Sequence, residues 1–244
     1  MALPPERLDR FARHIVLPEV GGAGQAALAS ARVVLIGLGG IGSPALQYLA
    51  GAGIGTLVLV DDDAVDPSNL QRQTIFRDDE IGRSKAELGE VWVRDRVTAD
   101  NAAGVIAGAD LVLDGCDNFA TRLAVSDACV AGQVPLLSAA VGRFQGQVGA
   151  FAGHLADQPC YRCYVGDAFD ADDCDTCAED GMLGAMSGWT GTFAALQAIR
   201  VLLAPAGGMG DAQWGKLHLL DGLKPGMRTL SIAKDPACRA CGTG

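Results

Sequence analysis

The stretch Ala31-Arg-Val-Val-Leu-Ile-Gly37-Leu-Gly39-Gly40-Ile-Gly42 reads as a short buried strand that closes on a glycine loop. A helix is predicted from about Ser43 to Ala52, with Pro44 in the first turn, where its missing N–H has no helical partner to lose. Thr56 to Val60 is then a second buried strand, ending at Asp61, Asp62 and Asp63. Strand, glycine turn, helix and strand within about thirty residues make a βαβ unit, so the two strands run parallel. In such a unit Gly37 makes the turn, Gly39 and Gly40 let backbone approach phosphates, and Gly42 lets helix and strand pack closely. The helix N-terminus behind the loop offers unpaired N–H groups and a partial positive charge to an anion. Asp61 stands about 20 residues further on, where an acid accepts hydrogen bonds from ribose hydroxyls.

The charges that follow exceed what a dinucleotide site needs. Arg72, within Asp66-Pro-Ser-Asn69-Leu-Gln-Arg72-Gln73, can fork onto phosphate oxygens, and Lys85 adds a compact point charge. A lone surface cation is ordinarily just solvated. What singles out Arg72 is its place just after the acid that ends a strand. Asp117 and Asn118 follow another strand, Ala109 to Leu113, at the carboxyl edge where doubly wound sheets bind ligands. A carboxylate there can hold Mg²⁺ bridging triphosphate oxygens, or the pair can cap the helix that begins at Phe119. The set points to phosphate chemistry on ATP. An NAD(P)-dependent oxidoreductase built on the same loop is the alternative, and it leaves Arg72 and Asp117 unused.

Outward from this centre, residues 6 to 29 read as an amphipathic opening segment with a Gly-rich turn at Gly21 to Gly24. Ala64 to Glu90 is polar and irregular, and Val91 to Val97 is a third strand or a helix end. A helix is predicted over Phe119 to Gly132, with strands at Pro135 to Val141 and Gln147 to Ala152. A cysteine-bearing loop covers about 159 to 180, an apolar helix about 181 to 204, and Lys216 to Leu220 is the last strand expected. The fold class is therefore α/β, a Rossmann-like doubly wound and mostly parallel sheet in one domain over 1 to 244. Its nucleotide-binding half spans about 30 to 140, and a second part spans about 141 to 244.

Composition agrees. Of 244 residues, 49% are hydrophobic and only 5% aromatic, so the core must be aliphatic. A net charge of −10 argues against a general binder of nucleic acid or anionic membrane. Gly181 to Ile199 carries no charge but is rich in Gly, Ser and Thr, which suits a helix buried in a soluble core better than a membrane span. With no apolar run in Met1 to Arg10, the expected location is the cytoplasm. His14, His154 and His218 have no acid or nucleophile partner nearby in sequence. Eight cysteines in such a compartment suggest metal rather than disulfides. Six form Cys-x-x-Cys pairs: Cys160 and Cys163, Cys174 and Cys177, Cys238 and Cys241. Spacing alone allows either the first and second pairs, as a local zinc ribbon, or another combination. Cys116 and Cys129 read as small buried hydrophobes.

These motifs together resemble the MoeB/ThiF/HesA family, bacterial relatives of ubiquitin-activating enzymes. The resemblance runs from Arg10-Phe-Ala-Arg13-His-Ile-Val-Leu-Pro to Cys238-Arg-Ala-Cys241. It rests on Gly37-Leu-Gly-Gly-Ile-Gly-Ser43, Ser68-Asn-Leu-Gln-Arg-Gln73, Cys116-Asp-Asn-Phe-Ala-Thr-Arg122, Pro159-Cys-Tyr-Arg-Cys163 and Cys177-Ala-Glu-Asp-Gly-Met-Leu-Gly184. It implies ATP-dependent adenylation of the C-terminal Gly-Gly carboxylate of a ubiquitin-like sulfur carrier, serving molybdopterin or thiamin synthesis, with pyrophosphate released. It implies that Asp61 holds ribose, that Asn69 belongs to the nucleotide site, and that Arg72 and Lys85 hold phosphates. Asp117 beside Asn118 would bind Mg²⁺, and Arg13 would arrive from the partner subunit of a homodimer. Cys160, Cys163, Cys238 and Cys241 would bind a structural Zn²⁺, and Cys177 would take the position of a cysteine that can link covalently to the carrier. The sulfur itself is expected from a separate donor protein. A non-catalytic scaffold that binds a carrier is a further alternative, because Lys85 and Asp117 lie closer in sequence than the family leads one to expect. The crossover before the third strand is accordingly expected to be trimmed or rebuilt from residues 68 to 88.

Overall fold

Strand alternation sets the layers. In β1 (Arg32–Ile36), Val33 and Leu35 face one core and Val34 and Ile36 the other, so both faces of the strand are covered. The structure, a computed structural model, describes residues 5–88, 91–166 and 181–242. The remaining strands are β2 (Thr56–Val60), β3 (Val91–Val93), β4 (Leu111–Asp114), β5 (Leu136–Gly142), β6 (Gln145–Phe151), β7 (Lys216–Asp221) and β8 (Gly226–Ser231). They form one eight-stranded sheet in the order β3-β2-β1-β4-β5-β6-β7-β8. Strands β1 to β5 pair in parallel, and β6 to β8 continue the sheet antiparallel. The order turns about β1 and β4, the switch point at which open α/β sheets bind ligands.

One face carries α3 (Gly21–Ser30), α4 (Gly42–Ala52) and α8 (Gly184–Leu203), which bury Leu28, Leu49, Ala194 and Ala198 against Leu35, Leu59 and Leu113. The other carries α5 (Ala102–Val105), α6 (Phe119–Ala131) and α7 (Tyr161–Val165), with Leu123, Val125 and Tyr161 against Val34, Val58 and Val112. Two short helices, α1 (Pro5–Arg10) and α2 (Ala12–Ile15), precede this core. Among the described residues, no helix is long and apolar enough to cross a membrane.

The structure corrects three local expectations and adds one element for which none was made. Gly21 to Gly24 is the first turn of α3, not a loop, because Gly24, Gln25 and Leu28 are buried and Gly24 packs against Leu203. Burial of that face overrides the weak helix propensity of glycine. The cysteine loop begins with the helix α7. The segment before β4 contains the short helix α5. Lys216 to Leu220 is not the last strand, since β8 pairs with β7 along its length. The crossover from β2 to β3 contains 3₁₀ turns at Pro67–Asn69, Asp78–Glu80 and Lys85–Leu88, and no α-helix among its described residues. That is the rebuilt crossover expected from the short spacing.

Candidate active site

A cavity of about 620 Å³ opens at the carboxyl ends of the parallel strands. Its floor is the glycine loop. Gly37 adopts φ +82 and donates its N–H to the Val60 carbonyl at 2.8 Å, so β1 and β2 end together. A Cβ on Gly42 would stand 1.9 Å from the Gly37 carbonyl oxygen. Gly37, Gly39 and Gly40 border the cavity, whereas Gly42 does not. Gly42 therefore acts through packing of the loop on α4, and the cavity-facing backbone belongs to the other three.

Asp61, at the end of β2, accepts the Leu38 N–H at 2.6 Å and the Asp63 N–H at 2.9 Å. Burial raises its carboxyl above the ordinary value, against the pull of the Leu38 N–H and of Lys85. Lys85 is buried, and its Nζ donates to Asp63 Oδ2 at 2.8 Å. Asp66 opens the neighbouring turn by accepting the Ser68 N–H at 2.8 Å. From that turn Arg72 donates to the Ser68 carbonyl at 3.0 Å and runs beside Gly40, while Asn69 donates to Ser68 Oγ at 3.3 Å. Across the cavity Asp117 is exposed and Asn118 caps α6, its Oδ1 accepting the Thr121 N–H at 2.8 Å. The sequence left metal binding and capping open for this pair. The structure gives Asn118 the cap and leaves Asp117 facing the cavity.

The fold thus brings Asp61, Asn69, Arg72, Lys85, Asp117 and Asn118 to one cavity with the glycine loop. Arg13 is exposed on α2 and is not part of that wall. Cys177 lies outside the described residues. Cys116, read as a buried hydrophobe, is only partly buried and borders the cavity, with its thiol pushed well up by burial.

Arg96, Gln73 and Tyr161 are among the wall residues that had not been singled out. Arg96 reaches the cavity from the segment between β3 and α5 and donates to Asp62 Oδ2 at 3.0 Å, and that bond raises its already high pKa. Gln73 is buried beside Gly39, and its Oε1 has no hydrogen-bond partner among the described residues. Tyr161 comes from α7. Gln73 and Tyr161 each stood inside a quoted motif, Ser68 to Gln73 and Pro159 to Cys163. Arg96 stood in the stretch Val91 to Val97, read only as a strand or a helix end, and Tyr161 lies far along the chain from the glycine loop.

The second centre is a thiol cluster. The Sγ atoms of Cys160, Cys163, Cys238 and Cys241 all lie within 4.8 Å of one another. Separations are 3.9 Å from Cys160 to Cys163, 3.6 Å from Cys160 to Cys238 and 3.4 Å from Cys163 to Cys241. Four thiolates on a tetrahedral zinc with bonds near 2.3 Å stand about 3.8 Å apart, so the donor set fits Zn²⁺. Cys174, the partner of Cys177 in the local ribbon, also lies outside the described residues.

A glycine loop, a ribose-height acid and convergent cations on a doubly wound sheet define a nucleotide-dependent enzyme. Residues 11–240 match the ThiF family, and the chain belongs to it. It is 40% identical to the SAMP-activating enzyme E1 of Haloferax volcanii, over 100% of this chain and 92% of that protein. It is 37% identical to the sulfur carrier protein adenylyltransferase of Thermus thermophilus, over 97% of this chain and 92% of that protein. Among solved structures, E. coli MccB with MccA-N7isoASN is similar in fold, with a TM-score of 0.81 at 20% identity, over 97% of this chain and 75% of that one.

Proposed function

We propose that this chain adenylates the C-terminal carboxylate of a ubiquitin-like sulfur carrier protein with ATP. The observation that carries the proposal is the meeting of Asp61, Arg72, Lys85 and Asp117 around one glycine loop. The names of the relatives in Haloferax and Thermus support the substrate class. In this reading a carrier carboxylate oxygen bonds to the α-phosphorus, the bond from that phosphorus to the bridging oxygen breaks, and pyrophosphate leaves with the electron pair. Asp61 accepts from the ribose hydroxyls. Asn69 lies along the nucleotide, and Arg72 and Lys85 stabilise charge growing on the phosphate oxygens, which a preorganised site does without reorganising. Asp117, with Asn118 beside it, offers a hard oxygen donor suited to Mg²⁺, which supplies charge neutralisation on the triphosphate when bound. The four cysteines suit a structural Zn²⁺ that ties α7 to the tail. Arg13 completes the site from the second subunit of a homodimer. The pathway, molybdopterin or thiamin, is set by which carrier docks, and a separate protein donates the sulfur. A cytoplasmic location belongs to the same reading.

ATP–pyrophosphate exchange tests it, run with Mg²⁺ and with each candidate carrier ending in Gly-Gly. Exchange that needs one carrier and vanishes with Asp117→Ala is expected. ATP binding without exchange for any carrier would instead leave a scaffold, and nicotinamide binding in its place would favour the oxidoreductase.

A further inference from the structure

Asp117 is an exposed residue set between two that are held. Before it, Cys116 donates its N–H to Asp114 Oδ1 at 3.0 Å and its carbonyl oxygen accepts from Arg122 Nη2. After it, Asn118 is fixed by its cap on α6. The grip on Cys116 comes from Arg122, in the first turns of α6. Its Nη1 donates to Asp114 Oδ2 at 3.2 Å and to Ser138 Oγ at 2.8 Å, and its Nη2 also donates to the Ala139 carbonyl at 2.8 Å. Ser138 Oγ donates in turn to Asp114 Oδ2 at 3.2 Å. Asp114 is wholly buried at the end of β4, and Arg122 is 5% exposed. One planar guanidinium therefore joins α6, the end of β4, the middle of β5, and the turn that carries Asp117. A lysine has the charge but not the fork to span those acceptors.

We propose that Arg122 is a positioning residue: it fixes where the Asp117 carboxylate stands and thereby sets the affinity of the nucleotide complex for its divalent cation. A ligating carboxylate held by outer partners loses metal affinity when those partners go. The proposal rests on the reading of Asp117 as the Mg²⁺ carboxylate. Arg122 also borders the cavity, so a direct contact with nucleotide is the rival explanation. The two differ in a measurable way. Positioning acts only through the cation, whereas contact acts with or without it.

The test compares the full-length protein with Arg122→Lys and Asp117→Ala. ATP affinity is measured by calorimetry in EDTA and again in saturating Mg²⁺. Mn²⁺ titrated into the protein–ATP complex is followed by electron paramagnetic resonance. Arg122→Lys keeps a cation beside Asp114 and loses the grip on Cys116. It is expected to leave ATP affinity in EDTA unchanged while Mn²⁺ affinity falls about 10- to 100-fold. Asp117→Ala is expected to show the same split more strongly. Should Asp117→Ala leave the metal dependence intact, the reading of Asp117 falls and this proposal with it. Loss in Asp117→Ala with wild-type Mn²⁺ affinity in Arg122→Lys overturns the proposal alone. So does a loss of ATP affinity in EDTA for Arg122→Lys, which marks a nucleotide contact. If circular dichroism shows Arg122→Lys unfolded, the double variant Asp114→Asn with Arg122→Gln removes both buried charges and takes its place, with the same outcomes.

Discussion

Two glycines in the same loop answer to different demands. A Cβ on Gly42 meets the Gly37 carbonyl oxygen at 1.9 Å, inside any van der Waals contact. A Cβ on Gly39 meets only Gln73 Nε2, at an ordinary 3.8 Å, but it stands on the cavity floor. Gly42→Ala must push the loop off α4, and overpacking of this kind costs about 1–3 kcal/mol. Gly39→Ala should leave stability near wild type and obstruct the approach of phosphate to backbone. Urea melts paired with ATP titrations separate the two. A Gly39→Ala protein less stable than Gly42→Ala would reverse the assignment of packing and binding roles.

At the scale of elements, strands buried on both faces were the most legible. Thr56 to Val60 was readable to the residue, because an unbroken aliphatic run between turn signals leaves few alternatives. Helix α3 was hidden by its glycines and β8 by its exposure: every residue of β8 faces solvent, so no alternation marks it. It is held by the backbone ladder to β7, which composition cannot reveal. Helix α7 was hidden among cysteines, and it is the element that links the two centres. Arg162 donates to Asp127 on α6 through Nε at 3.0 Å and Nη2 at 2.8 Å, and Tyr161 beside it forms part of the cavity wall. Removal of the proposed Zn²⁺ by a chelator is therefore expected to loosen α7 and the tail around Cys238 and Cys241 first. In hydrogen exchange those segments should lose protection while β1 and β4, buried between both layers, keep theirs. Uniform loss across the sheet would show that the cluster supports the whole fold instead of one corner.

At the scale of the molecule, the candidate site was largely legible because phosphate and ribose recognition place fixed residue types at strand ends. The glycine loop, Asp61, Asn69, Arg72, Lys85, Asp117 and Asn118 all reach one cavity. Arg96 was not legible, and Gln73 and Tyr161 were legible only as members of motifs, since the place of all three depends on how the segments flanking β3 and α7 fold over the sheet. Arg13 is the exception, assigned to a second subunit only in the function proposed above. It is exposed and stands outside the wall of its own cavity, while Val16 and Leu17 beside it are 76% and 47% exposed. Apolar side chains in solvent next to a cation outside the cavity wall suit the proposed symmetric dimer, in which each copy would complete the other's site. Arg13→Ala and Asp117→Ala should each be inactive alone. Mixed and allowed to exchange subunits, the proposed dimers should include heterodimers in which one site has both residues intact and the other has neither. At equal amounts half the dimers are of this kind, so exchange activity should recover to about a quarter of wild type. If Arg13 served its own subunit, every site in the mixture would lack one residue or the other, and activity would stay at zero.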